Sequence, residues 1–513
     1  MEEVIDKLKQ GKGAGLDEVP NFVIKTAKHV IKQPLMKIIN QAIREGVYPK
    51  PWKSSLILPL HKKKSKLEAK NHRPITILNK LSLCLESVIL KQMNEHWKRL
   101  NLISETQHGY IETRSCTSAL ASMYDEWTRQ ADKNMFVGIF LLDQSSAFEI
   151  VDPFLLDKKL EALRTKENAR RLILNYLLER PQITKIDNFK SEEIIKDIGV
   201  PAGSKLGPLL YSVYTTDLPK TTEGTLTSYA DDSTNSVADK TALGVKVKLE
   251  SDAEKIRQYM RASRLLIAED KSVFILASNK QKIRTEDDKK LTLKIGDQEI
   301  AQSRCAKILG VLVNSQLDWT SHLHGIPGDE EEVGLLKKLS NRIGLAHKVK
   351  HLPFKLRKMV ITGTFLSKLS YGLEVWGSTT KGQLNQVGQL EKIAARMVTK
   401  NHRSVSSAEN FKQCGWLNIE NLIKLKTLTF FYKLRMSQTV PYFEKLIGRG
   451  RKEFSSRFPE YEQEQGRSVK YGTVSRFKRL WNDLPEEVRT APANQFKKAA
   501  RSYIVANDDV GNV

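Results

Sequence analysis

The stretch "MFVGIFLLD", residues 135–143, constrains the fold more than any other part of this sequence. It is a continuous apolar run that ends at Asp143, and such a run is typical of a buried β-strand with a polar residue at its end. The chain then reads "VDPFLLDKKLEAL", which favours the start of a helix because Asp152 is a good N-cap and Pro153 suits the first helical position. The sequence therefore predicts a core sheet with a helix close behind it.

Two adjacent acids, Asp231 and Asp232, lie in "LTSYADDSTNSV" (226–237) between two runs typical of strands, which indicates a β-hairpin. Taken alone, the pair favours an ordinary solvated turn, because an aspartate side chain can hydrogen-bond its own backbone. Asp143, 88 residues earlier, opens a second interpretation. If the two strands are neighbours, three carboxylates converge at one end of a sheet. Such a cluster suits Mg²⁺, which prefers oxygen ligands and binds alongside substrate phosphates.

Charge and composition limit the class of partner. Lys and Arg number 84 against 59 Asp and Glu, and the formal net charge is +25. This balance favours a polyanionic partner, with nucleic acid ahead of an anionic membrane surface. No apolar run approaches the roughly 18–20 residues of a membrane span, and the first residues contain no apolar signal segment. Four scattered cysteines without a C-x-x-C pair argue against a disulfide framework and a zinc site, and favour a reducing intracellular compartment.

Further elements can be placed along the chain. "WKSSLILPLHKKK" predicts a strand that ends in a basic loop, and "NHRPITILNKLSLCLESVILKQMNEHWKRL" a strand that becomes a long helix. "GVPAGSKLGPLLYSVYTTDLP" indicates a Gly/Pro-rich turn that opens a short helix. Strands are expected in "KSVFILAS" and "AKILGVLVNSQLDW", and helices beyond residue 333. Domain boundaries are predicted near residue 325 and, more weakly, near 401–407.

The ordered motifs, quoted at the end of this sentence, resemble the reverse transcriptase of a non-LTR (LINE-like) retrotransposon: "WKSSLILPLHKKK", "NHRPITIL", "HGYIETRSCTSAL", "FLLDQSSAFEIVD", "GVPAGSKLGPLLYSVYTTDLP", "SYADDS", "LLIAEDKSVFILAS" and "KILGVLV". Each motif is weak alone, and their order makes the resemblance specific. It covers residues 10–325 strongly. It continues more weakly to "YGLEVWG" and "FKRLWNDLPEEVRTAPANQFKK".

The resemblance implies an α+β right-hand polymerase fold. The expected regions are 1–134, the fingers and N-terminal part; 135–325, a palm with an antiparallel sheet packed on helices, the catalytic motifs and the primer grip; 326–400, a helical thumb-like region; and 401–513, a mostly helical C-terminal region of the retrotransposon type. Three tryptophans, Trp319 near the end of the palm, Trp376 in the thumb-like region and Trp481 in the C-terminal region, could stack on bases. A core position is the preferred interpretation for all three.

The resemblance also implies roles for individual residues. The catalytic and metal-binding set is Asp143, Asp231 and Asp232; the nucleotide-binding set is Lys62, Lys63, Arg73, Phe148, Gly203, Ser204 and Lys271; the primer grip contains Leu309 and Gly310. The three cations of the fingers would bind the triphosphate. An aromatic ring at Phe148 would clash with a 2′-hydroxyl and favour deoxynucleotides. Lys271 would donate a proton to the pyrophosphate leaving group.

Each of these roles has a simpler alternative. "HKKKSK" also matches a nuclear-localisation pattern, and Phe148 could be an ordinary core residue. Gly203 and Ser204 could form a plain turn and helix cap. For Lys271 a solvated surface position is nearly as good an interpretation as the catalytic one.

The implied function is an RNA-directed DNA polymerase of retrotransposition, which extends a DNA 3′ end on an RNA template by a two-metal mechanism. Its cofactor would be Mg²⁺, with Mn²⁺ able to substitute. Its partners would be an RNA template, a DNA primer and deoxynucleoside triphosphates, with no membrane. The nucleus is the implied location.

The chain departs from the family pattern at Ala202, where relatives carry Gln, at Glu149, where they carry Asp, and at Ala268, where they carry Asn. No room for an upstream endonuclease is expected, and neither an RNase H set nor a zinc knuckle is visible. The alternative function is therefore a catalytically decayed, nucleic-acid-binding remnant of such an element. A metal nuclease that uses the same acids is disfavoured, because it explains neither the fingers motifs nor Phe148.

Overall fold

The computed structural model describes residues 1–8, 13–62, 65–100, 102–145, 147–268, 271–286, 291–437, 440–447 and 472–508. Strands β1 to β15 span, in order, Ser55–His61, His72–Leu78, Phe136–Leu142, Gln144–Ser145, Arg180–Ile186, Phe189–Lys190, Ile194–Lys196, Thr225–Tyr229, Asp232–Asp239, Leu266–Ile267, Val273–Ala277, Thr292–Ile295, Gln298–Ser303, Cys305–Ile308 and Val311–Asn314. Helices α1 to α22 span, in order, Glu2–Asp6, Asn21–Thr26, Lys28–Glu45, Lys80–Leu100, Cys116–Asp132, Pro153–Ala162, Glu167–Leu177, Gly207–Tyr214, Ala242–Ala262, Lys280–Glu286, Thr320–His324, Leu335–Lys348, Phe354–Ile361, Ser367–Leu369, Leu373–Trp376, Lys381–Thr399, Ser407–Cys414, Ile419–Ser437, Pro441–Ile447, Thr473–Asn482, Glu486–Arg489 and Phe496–Asp508.

The chain divides into two compact units. The first comprises Met1–Ile111, Asp143–Thr222 and Glu254–Asp270. Its main sheet has β1 between β2, which is antiparallel to it, and β5, which is parallel to it. Strand β5 pairs in addition with β6 and β7. This sheet carries the predicted fingers motifs "WKSSLILPLHKKK" and "NHRPITIL".

The second unit comprises Glu112–Leu142, Glu223–Ala253 and Lys271–Val513. Its six strands run in the order β12-β13-β11-β3-β9-β8. Strand β3 lies in the middle of this sheet, antiparallel to β9 on one side and to β11 on the other. Gly138 in this strand permits a close approach of a helix, because a Cβ there would meet Val245 and Leu249 at 2.4 and 2.7 Å. The apolar run at 136–142 is thus a central strand of the sheet.

Helices follow the last hairpin of the second unit, and they share a core with its sheet. Buried side chains form one continuous apolar cluster from Ala119 through Ile139 and Val313 to Ile504. Trp319, Trp376 and Trp481 are at most 2% exposed within this part of the chain. The prediction that the three tryptophans lie in the core is confirmed.

The structure confirms the predicted α+β class, with sheets up to residue 314 and helices dominating afterwards. It also confirms the strand at 136–142, the hairpin around Asp231, and the helix opened by Asp152, whose side chain accepts hydrogen bonds from the N–H groups of Phe154 and Leu155. The division into fingers, palm, thumb-like and C-terminal regions stays a prediction. None of the helices that the structure describes is long and apolar enough to cross a membrane.

Candidate active site

The two adjacent acids lie at the tip of the β8–β9 hairpin. Tyr229 pairs with Asp232, so the loop contains only Ala230 and Asp231. Ala230 has a φ of 59°, a value that costs a residue with a Cβ about 1 kcal/mol or more. Below the loop, the buried hydroxyls of Ser228 and Ser233 lie 3.0 Å apart across the two strands. The tip is therefore a tight two-residue turn on a well-anchored hairpin.

The strand register shows which end of β3 lies beside the start of β9, where this tip is located. The last paired residues of β3 and β9 are Leu142 and Ser233. Asp143 follows Leu142 in the chain, and Asp232 precedes Ser233. Because the pair is antiparallel, the end of β3 and the beginning of β9 coincide. In the described parts of the chain, the structure gathers no three or more His, Cys, Asp or Glu side chains in a geometry that could hold a metal ion. The three-carboxylate site stays a prediction.

Asp143 itself is partly buried, and it is tied to the first unit through its backbone. Its carbonyl oxygen accepts a hydrogen bond of 2.9 Å from the N–H of Ala268. Strands β4 and β10, which flank the two residues, pair antiparallel. Ala268, one of the three departures from the family pattern, thus contributes a backbone contact that does not depend on its side chain.

Phe148 belongs to a group of three aromatic rings. Its ring centroid lies 4.9 Å from that of Tyr211 and 6.1 Å from that of Tyr110, the second contact being edge-on. Its carbonyl accepts a hydrogen bond of 2.7 Å from the N–H of Val200. Phe148 remains only partly buried. The ring is thus braced from two sides. Neither tyrosine was assigned a role from the sequence, although both lie in quoted motifs.

The turn that contains Gly203 packs against strand β2. The N–H of Thr76 donates to the carbonyl of Ala202 at 3.2 Å. Gly203 has a φ of 99°, and a Cβ there would meet the carbonyl oxygen of Thr76 at 2.8 Å. Ser204 is buried, and its hydroxyl accepts from the N–H of Gly207 at 2.7 Å. The Ser204 hydroxyl thus binds the first residue of α8 from two positions before the N-cap residue, Leu206, and its role stays a prediction.

A buried carboxylate, which sequence reasoning missed, holds the other side of this turn. Glu86 in α4 accepts hydrogen bonds from the N–H groups of Lys205 at 2.6 Å and Leu206 at 3.3 Å. Complete burial raises the pKa of Glu86, and the two N–H donors act against this effect. The signal was invisible in the sequence, because Glu86 lies 119 residues from Lys205.

The fingers cations lie on the β1–β2 hairpin. Arg73 is exposed on β2 and is paired with Leu60 of β1. Lys62 is exposed just after β1, and its N–H donates to the carbonyl of Asn71 at 2.8 Å. Lys63 lies outside the described residues. The hairpin thus presents at least two cationic side chains to solvent in the first unit.

The remaining predicted residues are in the second unit. Lys271 is exposed, two residues before β11 begins at Val273. Leu309 and Gly310 form the whole loop of the β14–β15 hairpin, with φ values of 45° and 83°. Two positive φ values in a two-residue loop are typical of a type I′ turn. The predicted primer grip is therefore a tight hairpin tip.

Tyr371, in the motif "YGLEVWG", supports this tip and was not predicted to do so. Its hydroxyl donates to the carbonyl of Leu309 at 2.7 Å. A Cβ at Gly310 would lie 3.2 Å from the Tyr371 ring. Partial burial raises the pKa of Tyr371 to about 12, so the phenol stays a donor over the range of ordinary assays.

Comparison with known proteins agrees with this arrangement of motifs. Residues 60–313 match the family model for reverse transcriptase (RNA-dependent DNA polymerase). The "RNA-directed DNA polymerase from mobile element jockey" of Drosophila melanogaster is 26% identical over 419 residues, 78% of this chain and 43% of that protein. The "Probable RNA-directed DNA polymerase from transposon BS" of the same species is 23% identical over 464 residues, 86% of this chain and 49% of that protein. The chain thus spans about half the length of the curated relatives it matches.

A strand-end aspartate, a YADD hairpin and the matching segment together define the class: residues 60–313 are a reverse transcriptase domain. More particularly, its relatives are polymerases of Drosophila non-LTR mobile elements, which also include the transposon X-element protein at 23% identity over 403 residues. The predicted resemblance is confirmed.

Proposed function

We propose that this chain is an RNA-directed DNA polymerase that extends a DNA 3′ end on an RNA template with deoxynucleoside triphosphates. The observation that carries the proposal is the β3–β9 register, which brings the strand end before Asp143 to the strand start at the YADD tip. This pair lies within the segment that matches the reverse transcriptase model. An ordinary solvated turn would not require a partner acid at the neighbouring strand end.

The residues that would hold Mg²⁺ are Asp143 and Asp231, with Asp232 beside them and Mn²⁺ able to substitute. Carboxylates are the hard oxygen donors that Mg²⁺ prefers, and one or two of them usually suffice when substrate phosphates complete the shell. With nucleotide bound, the site would therefore not need three protein ligands. The chemistry supplied by two bound ions is activation of the attacking oxygen and stabilisation of the leaving one.

The nucleotide would be selected and positioned by the first unit. The Phe148 ring, braced by Tyr110 and Tyr211, would pack against the sugar and exclude a 2′-hydroxyl. Gly203 would let the backbone approach the substrate closely. Lys62 and Arg73 would bind the triphosphate, Arg73 with a planar fork and Lys62 as a point charge. Lys63, implied by the resemblance, would join them.

Two features of the second unit would complete the reaction. Lys271 would donate a proton to the departing pyrophosphate. The Leu309–Gly310 tip would hold the primer end, with its carbonyl fixed by Tyr371. With a net charge of +25, the chain would bind the template–primer duplex in a salt-sensitive and sequence-tolerant way. Its work would be retrotransposition at chromosomal DNA in the nucleus.

Backbone contacts support retained activity at two of the positions where this sequence differs from the family pattern. Ala202 accepts a hydrogen bond from Thr76 through its carbonyl, and Ala268 donates one to Asp143 through its N–H. Neither contact needs the side chain that relatives carry. A decayed remnant that only binds nucleic acid is the alternative outcome of the test below.

The test is extension of a labelled DNA primer on an RNA template with Mg²⁺ and deoxynucleotides. Asp231→Ala is expected to reduce the rate about 100-fold or more, since each metal contact stabilises the transition state by several kcal/mol. Asp297→Ala is the matched control, because Asp297 is also the second residue of a two-residue hairpin loop in the same sheet. No extension by the wild-type chain, with template binding retained, would identify the remnant. Equal extension by Asp231→Ala would remove the metal assignment.

A further inference from the structure

The helical part of the second unit contains a cavity of about 940 Å³, and none of the predicted active-site residues is among its described lining. Its wall is built by the segment 113–117 before and in α5, the loop 415–417, one side of α18, and the helix Phe496–Asp508. Apolar side chains cover most of the wall, among them Trp416, Leu422 and Phe430. Trp416 and Phe430 are only partly buried, so their rings are accessible from the cavity.

The charged side chains of the cavity are strongly unbalanced. Among the described residues that line the cavity, the cations are Arg114, Lys426, Lys433, Lys497 and Arg501, and the one acid is Glu374. Glu374 is already paired with Lys426 at 2.9 Å. Lys433 and Lys497 are exposed and make no hydrogen bond or ion pair with any described residue. The cavity therefore presents uncompensated positive charge beside apolar and aromatic walls.

The cations of α18 lie along one face of that helix. Leu422, Lys426, Thr429, Lys433 and Met436 recur at intervals of three or four residues and all line the cavity. From Leu422 to Met436 this face is about 21 Å long, at 1.5 Å per residue. The alternation of apolar groups and cations along it fits an extended ligand that carries both flat apolar faces and regularly spaced anions.

We propose that this cavity binds single-stranded nucleic acid. Exposed bases would lie against Trp416, Phe430 and the aliphatic wall, and the phosphates would pair with Lys433 and Lys497. A duplex hides its bases and would leave the apolar wall without a partner. An acidic peptide would satisfy the cations, but a chain of net charge +25 with a reverse transcriptase domain favours nucleic acid. The site is separate from the predicted active-site residues and does not rest on the proposed activity.

The experiment measures the affinity of the full chain for fluorescently labelled single strands of about 20 nucleotides, a length that covers several base-stacking sites. Single-stranded RNA, single-stranded DNA and blunt duplex RNA are compared over a range of salt concentrations. The variant Lys433→Glu/Lys497→Glu reverses both unpaired cations of the cavity. Lys424→Glu/Lys498→Glu is the matched control, because these exposed lysines lie on the same two helices and do not line the cavity.

The cavity variant should bind single strands at least about tenfold more weakly than the control variant, with a salt slope lower by about two. Duplex binding should be equal in the two variants. A loss on RNA alone would assign the site to an RNA strand, and an equal loss on DNA would assign it to single strands in general. Equal affinities of the two variants for single strands would overturn the proposal. It would also be overturned if an acidic peptide bound in the cavity at saturation and displaced no bound RNA.

A second variant tests the apolar wall separately. Trp416→Leu keeps an apolar side chain and removes the large ring, so it should weaken single-strand binding about fivefold or more without changing the salt slope. The proposal would be contradicted if Trp416→Leu bound single strands with unchanged affinity and the charge reversal also weakened binding of duplex RNA. The cavity would then act only as a general basic surface.

Discussion

The six-stranded sheet carries a hairpin at each of its two edges, β8–β9 at one and β12–β13 at the other. Each hairpin has a two-residue loop whose second residue is an aspartate, Asp231 in the first and Asp297 in the second. In each the first loop residue has a φ of 59°. The two tips are therefore close to identical in local backbone chemistry.

Two things distinguish them. The positive φ falls on Gly296 in one hairpin, where it costs nothing, and on Ala230 in the other, where it is strained. The β9 strand also pairs with β3, whose end precedes Asp143, whereas β13 pairs in parallel with β11. The difference between the two turn aspartates thus lies in the strand that pairs beside the hairpin and not in the turn itself.

The strongest way to break this comparison is to remove the neighbouring acid. Asp143→Asn should reduce primer extension as much as a substitution of Asp231, about 100-fold or more, because both would serve one site. The double variant Asp143→Asn/Asp231→Asn should lose little beyond either single variant, since residues that act as a unit are not additive. Multiplied losses, measured by single-turnover extension, would mean that the two acids act independently.

Stability comparisons between the hairpins require control of a separate pH effect. Burial raises the pKa of Glu391 in α16 to about 8, and the backbone N–H of Ile419 acts against this effect. Its stabilising contribution is complete below the unfolded pKa of 4.5 and is lost as the pH rises to about 8. At pH 9, Glu391→Gln should therefore have a free energy of unfolding larger than that of the wild type by on the order of 4 kcal/mol, measured by urea denaturation. At pH 4.5 the difference should be far smaller, and a gap that did not change with pH would contradict the assignment.

The β14–β15 hairpin offers a third case, because a side chain from another part of the chain, Tyr371, holds its tip. Tyr371→Phe removes the hydroxyl that holds the carbonyl of Leu309, a loss of about 1 kcal/mol. We expect primer extension to fall about fivefold through weaker primer binding, with the KM for deoxynucleotide unchanged. Tyr503→Phe is the control, because it removes a similar hydroxyl bond to the carbonyl of Asp483. Equal extension by both variants would show that the tip needs no external support.

The smallest expected effect comes from exchanging the residue types at the two positions of positive φ, Gly296 and Ala230. Gly296→Ala should destabilise its hairpin by about 1 kcal/mol, and Ala230→Gly should stabilise the other by less than about 1 kcal/mol. Amide hydrogen exchange of the strands on either side of each loop measures both changes at pH 6. Effects of the same sign in both hairpins would mean that Ala230 is not strained.

The sequence was sufficient for the features that depend on local pattern. The apolar run to Asp143, the hairpin at Asp231 and the N-cap at Asp152 each have a signal within about ten residues, and the structure contains all three elements. The order of the motifs also sufficed for the family.

Other features could not be predicted, because they depend on distant parts of the chain. Glu86 holds a turn 119 residues away, and Tyr371 holds a loop 62 residues away. The sheet of the first unit pairs β1 with β5, more than a hundred residues later in the chain. A single sequence carries no local mark of such contacts. The hydrogen bond between Ser204 and Gly207, in contrast, is local, and the sequence pattern of a turn before a helix indicates it.

The measurement that tests the central claim most directly is Mn²⁺ binding, followed by electron paramagnetic resonance, in the presence of template–primer and an incoming deoxynucleotide. We expect the wild type and Asp297→Asn to bind the ion with equal affinity, and Asp143→Asn and Asp231→Asn each to bind it about 100-fold or more weakly. Mn²⁺ binding by Asp231→Asn as tight as that of Asp297→Asn would contradict this expectation, and the two hairpin tips would then be equivalent turns.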